Sequence, residues 1–340
     1  MIRPLSTPLD LWLVYNFRHK GMGLGLMEGE EAPLNRVMVA LIFSLVAEDQ
    51  MATYVMQETD DNGHLRGFIQ VQRDPYRPGV QVIYLAPSPV YEESAYQVWA
   101  RLLEYAVLRL RNLGVKRLFA DVPEAEEEPF RELGFALYAR EDVYILEEAP
   151  RNLPEPEGWR PSESKDRWDV QRLYKLTTPL PVQQVENTIT GITGSEGFLS
   201  RFLRKREEWL LRSKGETIAY LQGAREGGMT SLRLVIHPEF TSESEKLVGT
   251  ALALASLRWP APYAIRVRNY EGGIRGALES WSGRFYKTLS LMVRHTFAFE
   301  KVEAKSYRPV RDLPVGVLPV NITKLAKGGE GRRRCSMLKR

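Results

Sequence analysis

The chain has 340 residues, 44% hydrophobic and 26% charged, with 47 Lys/Arg, 43 Asp/Glu and a formal net charge of +4. That length predicts about two domains, and that composition excludes a disordered, collagen-like or disulfide-scaffold protein. Cys335 is the lone cysteine and the four histidines are scattered, which argues against a disulfide framework and a Cys- or His-rich metal centre.

From the N-terminus, Met1 to Asp10 holds Pro4 and Pro8 and lacks the apolar run of a signal peptide. Ile2-Arg3-Pro4 reads as a strand and Leu9 to Phe17 as an amphipathic run. Gly21-Met22-Gly23-Leu24-Gly25 follows a helical segment, not the strand that a phosphate loop requires, so a flexible loop between two helices is expected. Val37 to Ala47 is about half a membrane span and reads as a buried helix. Cytoplasmic residence is the expectation for a chain with no export signal and almost no cysteine.

Two strands follow, Ala52 to Thr59 and Leu65 to Gln72, around the hairpin signal Asp60-Asp61-Asn62-Gly63. A third, Val80 to Leu85, runs into Pro87. Apolar residues from Ala95 to Leu110 recur at three- and four-residue steps, predicting a helix that stops at Leu113-Gly114. Lys116 to Val122 is a strand and Glu127 to Leu133 a short helix. The acidic run Glu124 to Glu128 reads as its solvated start. Gly134-Phe135 opens a last strand ending at Ile145.

The same order then recurs. Trp159-Arg160-Pro161 answers Ile2-Arg3-Pro4, and Trp168 to Leu176 is again amphipathic. Glu208 to Arg212 and Thr217 to Gly223 form the hairpin, and Leu232 to Ile236 runs into Pro238. Leu247 to Leu257 is a helix apolar nearly all round. Tyr263 to Val267, Ile274 to Trp281 and Gly283-Arg284-Phe285 to Val293 complete the repeat. Pro238 follows Pro87, and Phe285 follows Phe135, at an offset of about 150 residues. This predicts domains at 1–147 and 158–300, a proline-broken linker at 148–157 and a basic extension at 301–340. The extension holds 11 Lys/Arg and 3 Asp/Glu, leaving a mildly acidic body of 36 and 40. It reads either as a solvated tail or as a nucleic-acid contact, and the absence of a nucleic-acid-binding fold favours the tail.

Each half resembles the GNAT acetyltransferase superfamily. The resemblance rests on the Arg-Pro opening, the strand–Pro–helix units at Leu85-Ala86-Pro87 and Ile236-His237-Pro238-Glu239-Phe240, and the closing Leu133-Gly134-Phe135. It implies an α/β fold, a mixed twisted sheet flanked by helices, occurring as two tandem GNAT-like acyl-CoA N-acyltransferase domains. It also implies acetyl-CoA as acyl donor and an amine acceptor, either a small molecule or a protein amino group. In that family the pyrophosphate rests on a Gly-rich turn at a helix N-terminus. Neither half keeps that turn. After Pro87 stand Glu92 and Glu93, which repel phosphate. After Pro238, Thr241, Ser242, Ser244 and Lys246 could receive one, beside the backbone of Val235 and Ile236. Ser242 and Glu245 equally fit a capping box. The family's thiolate-protonating tyrosine falls at Phe130 and Leu278. His237 and Glu239 are the candidate bases, or else a polar pair at a strand end with no chemistry. Tyr84, Tyr91 and Tyr286 read as packing residues with surface hydroxyls, and the second-half tryptophans read as core. A catalytically degenerate ligand-sensing or protein-assembly module is the alternative to an enzyme.

Overall fold

A computed structural model describes residues 1–25, 34–46, 50–60, 63–74, 77–186, 206–226 and 228–297. The basic extension and the Asp61-Asn62 turn lie outside the described residues. Residues 1–298 form one compact unit.

In chain order the first half runs β1 (Ile2–Pro4), α1 (Pro8–Phe17), β2 (Met22–Gly23), α2 (Leu34–Val46), β3 (Met51–Asp60), β4 (Gly63–Arg73) and β5 (Val80–Ala86). It continues with α3 (Ala95–Asn112), β6 (Arg117–Pro123), α4 (Glu127–Glu132) and β7 (Ala136–Leu146). The second half runs β8 (Trp159–Pro161), α5 (Arg167–Thr177), α6 (Leu180–Glu186), β9 (Arg206–Ser213), β10 (Glu216–Glu226) and β11 (Met229–Ile236). α7 (Ser244–Arg258), β12 (Tyr263–Arg268), α8 (Gly272–Ser280) and β13 (Arg284–His295) end it.

The two halves open with the same device. Arg3 on β1 holds Asp10 at 2.7 Å, and Asp10 accepts the Ser6 and Thr7 amides, so the carboxylate also closes the capping box of α1. Arg160 on β8 grips Asp166 at 2.6 and 2.7 Å, and Asp166 accepts the Glu163 amide. Both aspartates are fully buried, yet each is held below the ordinary carboxylate range. For Asp10, burial opposes the charge and is outweighed by Arg3 and the amides. For Asp166, the Arg160 hydrogen bonds dominate.

The strands among the described residues join one sheet, in the order β1-β3-β4-β5-β6-β13-β7-β12-β11-β10-β9-β8, with β2 alongside β5. The centre of that order is an exchange. β13, last in the second half, lies between β6 and β7 of the first, with Ser290 opposite Val122 on one side and Arg140 on the other. β7 in turn pairs with β12. The stretches Glu141–Leu146 of β7 and Leu289–Val293 of β13 are buried on both faces and so could sit in either half without changing their residue pattern.

α3 buries the apolar stripe Ala95, Val98, Trp99, Leu102, Leu103, Ala106 and Leu110 against β3–β6. α7 does the same over β10–β12 and is buried on more than one side, as its composition predicts. The expected burial of Val37 to Ala47 holds for one face only. Val37, Ala40 and Leu41 are buried while Ile42 and Leu45 are exposed. Trp259 is core, but Trp168 is 78% exposed, because the α5 stripe that faces the sheet is Val170 and Leu173. No helix among the described residues is long and apolar enough to cross a membrane.

Candidate functional site

Each half contains a pair of parallel strands that start together and then part. β5 and β6 pair only at Val80–Leu118 and Gln81–Phe119. Ile83 is an extra residue in β5, since Gln70 faces Tyr84 and Val71 faces Val82, and such a bulge bends the strand. β11 and β12 pair from Thr230–Tyr263 to Arg233–Arg266 and then separate, while β11 keeps an unbroken register with β10. A parted strand pair leaves unpaired amides and carbonyls that must find partners.

In the first half the chain itself supplies them. Met22 and Gly23 pair with Leu85 and Tyr84, and the Leu24 amide donates to the Ile83 carbonyl at 3.0 Å. The Gly25 amide then donates to the Asp121 carbonyl on β6 at 2.8 Å, and the Ser88 amide to Lys20 at 2.6 Å. Residues 20–25 therefore bridge the two parted strands. The expected flexible loop is instead a strand, and β5 supplies the partner that local sequence does not show. Gly21 is required by packing. A Cβ there would lie 2.2 Å from the Tyr84 ring and 2.7 Å from the Leu85 carbonyl. The Tyr84 hydroxyl is turned inward, contrary to expectation, and donates to the Arg18 carbonyl at 2.7 Å. Burial pushes its pKa up to about 12. Lys287 of β13 reaches the Gly25 carbonyl at 3.1 Å, so the second half helps hold this segment.

The second cleft differs. The His237 amide donates to Ile218 on β10 at 2.8 Å. Strand alternation then turns the backbone groups of Leu234 and Ile236 away from β10, into the cleft, and those of Val235 toward β10. Among the described residues no strand pairs with β11 beyond Arg233 on this side. The Val235 side chain packs against α5 beside Val170 and Leu173, and that of Ile236 faces α7.

His237 ends the strand and starts a 3-10 turn, Pro238–Glu243, that runs directly into α7. Its Nδ1 accepts the Glu239 amide at 3.3 Å, which brings this candidate pair together by a local cap, with the Glu239 carboxylate exposed. Thr241 and Ser244 also meet. The Ser244 hydroxyl is buried and donates to the Thr241 carbonyl at 2.7 Å, both against Gly273 of α8. Ser242 and Lys246 are exposed. The Ser242 capping box does not form, because the 3-10 turn satisfies these amides and leaves Glu243, with no side-chain cap, before the helix.

The closing segments align by their hydrogen bonds. The Phe135 amide donates to Phe130 and the Gly283 amide to Leu278, so Phe130 and Leu278 are equivalent, and both are core. The left-handed position is Gly134 in the first half and Ser282, not Gly283, in the second.

Between the clefts, on the sheet face opposite α3 and α7, lies a charged cluster that the motifs did not suggest. Arg77 joins Asp74 at 2.5 Å and Asp121 at 2.8 Å. Arg266 bridges Asp121 and Glu141, and Arg268 joins Glu141 at 2.7 Å and Glu186 at 3.0 Å. Arg233 on β11 donates to Glu271 at 2.7 Å and to the Arg266 carbonyl at 3.1 Å. Glu271 also accepts the Arg268 amide at 2.9 Å. Burial alone would raise the carboxyls of Asp121, Glu141 and Glu271. The facing guanidiniums reverse that for Asp121 and Glu141, whose pKa values are lowered. They do not reverse it for Glu271, where burial dominates and the value is raised. The Glu127 carboxylate, expected in solvent, is buried, held by Ser290 of β13 at 2.5 Å and Arg140 at 2.9 Å.

No protein-family model matches the sequence, and neither does a curated protein. Solved structures do. A GCN5-related N-acetyltransferase from Sphaerobacter thermophilus superimposes with a TM-score of 0.54 at 10% identity, covering 88% of this chain and 96% of that one. A tandem GNAT protein from the clavulanic acid biosynthesis pathway gives 0.48 at 14% identity, covering 88% of this chain and 99% of that one. The first of these shows the fold: a mixed α/β GNAT acyltransferase fold.

Proposed function

On this acyltransferase fold, we propose that the second half transfers an acyl group from acetyl-CoA to an amine, and that the first half shapes and supports it. The supporting observation is the edge of β11 beyond Arg233, which no strand among the described residues pairs with on the cleft side. Leu234 and Ile236 offer backbone groups to the cleft, whereas in the first half Met22 and Gly23 already occupy the equivalent edge.

Acetyl-CoA does not fit the first half, where residues 20–25 fill the cleft and Glu92 and Glu93 stand at the helix start. It fits the second at the strand edge. There it would supply an activated thioester, with its extended arm held by Leu234 and Ile236 and its phosphates near Thr241, Ser242 and Lys246. Ser244 contributes packing only, its hydroxyl being committed to Thr241. Val235 directs its side chain to α5 and takes no part. With Nδ1 accepting the Glu239 amide, the neutral His237 ring carries its hydrogen on Nε2 as a donor, and Glu239 stands exposed beside it. The acceptor is a small-molecule amine or a protein amino group, met in the cytoplasm.

One observation favours the second reading, a ligand-sensing or assembly module without catalysis. Glu239, Glu243 and Glu245 surround Lys246, an acidic setting for a pyrophosphate. Isothermal titration of the full chain with acetyl-CoA separates the two. We expect one site per chain at micromolar affinity, weakened about tenfold by Lys246→Glu, the cost of reversing one partly solvated charge. Absence of binding overturns the enzyme and leaves the module.

A further inference from the structure

Building on the transferase reading, we propose that Glu271, rather than His237 or Glu239, takes the proton from the acceptor amine. Three observations converge on it. The first is position. Glu271 follows β12 at the point where β11 and β12 part, and it ties them together, with one oxygen on Arg233 Nη2 of β11 and the other on the Arg268 amide of β12. Arg233 immediately precedes Leu234, the first residue whose backbone opens into the cleft. A base must lie within hydrogen-bond reach of the nitrogen it serves, and Glu271 sits at this apex. His237 lies four residues beyond Arg233, just past the end of β11, where Nδ1 is occupied by the Glu239 amide.

The second is burial. The Glu271 side chain is 7% exposed, whereas Glu239 is an exposed residue. A buried carboxyl among fixed dipoles is placed to exchange a proton without competition from water. The third is the charge census around it. Arg233 faces it from β11, Arg268 from β12, Glu141 from β7 and the Tyr270 hydroxyl from its own loop. In the connected cluster five carboxylates (Asp74, Asp121, Glu141, Glu186, Glu271) meet four guanidiniums (Arg77, Arg233, Arg266, Arg268). Among the described residues the carboxylates of this cluster outnumber the guanidiniums by one, and Glu271 is the member whose pKa is raised by burial. The step is a plain proton transfer. The ammonium gives one proton to the Glu271 carboxylate, yielding a free amine and a neutral carboxylic acid, and Arg233 then donates its hydrogen bond to that acid's carbonyl oxygen.

The test uses the full chain with acetyl-CoA and a panel of primary amines. Glu271→Gln should bind acetyl-CoA within about twofold of wild type and lose turnover about 10²–10³-fold, the usual contribution of a general base. A second readout needs no turnover. A raised carboxyl stabilises the fold at low pH, and that stability falls as pH climbs above the ordinary glutamate value of 4.5. The wild-type thermal midpoint should therefore drop relative to Glu271→Gln as pH rises from 4.5. Parallel pH–midpoint curves, unchanged turnover in Glu271→Gln, or a wild-type kcat without an acid limb each overturn the proposal. Absence of acetyl-CoA binding to the wild type overturns the transferase reading itself. Should Glu271→Gln fail to fold, the wild-type pH–kcat profile still decides.

Discussion

The two clefts of this molecule share one plan, a parallel strand pair that parts, and are closed by different means. In the first, an extra residue at Ile83 parts β5 from β6, and residues 20–25 fill the gap with backbone hydrogen bonds to both strands. In the second, β11 parts from β12 with no bulge, and side chains close the apex, Arg233 and Glu271 linking the strands by charge. A backbone plug is permanent, because removing it orphans amides on both strands. A side-chain bridge can exchange partners. Glu92 and Glu93 follow Pro87 on the side of the first cleft where residues 20–25 already pair with both strands.

The severest way to break this comparison is to separate the halves. Residues 1–157 alone lack the β13 strand that belongs between β6 and β7, and 158–340 alone lacks β7 beside β12. Neither fragment should show a cooperative melting transition by calorimetry, and mixing should restore one. Next in size is Glu141→Leu, which takes the shared carboxylate from two buried guanidiniums and leaves Arg266 with Asp121 and Arg268 with Glu186. Urea denaturation should record a loss of about 3–5 kcal/mol. The opening ion pairs allow a like-for-like test. Asp166→Asn and Asp10→Asn should each cost about 1.5–3 kcal/mol at pH 7, the range for hydrogen bonds to a charge. Both aspartates have lowered pKa values, so their stabilisation is complete above 3.8 and is lost as pH falls further. Both variants should thus flatten the acid limb of the stability profile. Gly21→Val overfills the plug against Tyr84 and should cost about 1–3 kcal/mol. If this variant bound a second equivalent of acetyl-CoA, the plug would be all that distinguishes the clefts. Smallest is Lys246→Glu, exposed and expected to alter stability by no more than about 0.5 kcal/mol while changing affinity.

Much of the fold was legible because it is written locally. The Arg-Pro openings, the Ala95–Leu110 periodicity and the strand–proline–helix units each carry their own signal and stand where expected. Three features were not legible. β2 has two residues and becomes a strand only because β5 waits beside it. The exchange of β7 and β13 leaves no trace in pattern, since the paired stretches Glu141–Leu146 and Leu289–Val293 are buried on both faces either way. Glu271 belongs to no motif. A faint signal did exist for its cluster: Arg233, Arg266, Arg268 and Glu141 interrupt otherwise apolar strands, and same-face charges at a two-residue step need partners.

The crossing of β13 and β7 also sets how this gene product tolerates being cut. The connection at residues 147–158 has no regular secondary structure and includes the exposed Arg151 and Asn152, where Asn152 takes a positive φ of 59°. A protease nick there would sever the polypeptide but leave each piece clasping a strand of the other, like two hooked fingers. The nicked protein should migrate as one particle on a sizing column and fall into two bands only in detergent. Domain shuffling by recombination at that same seam would fail for the reciprocal reason, because a half moved to a new partner arrives without the strand that completes it.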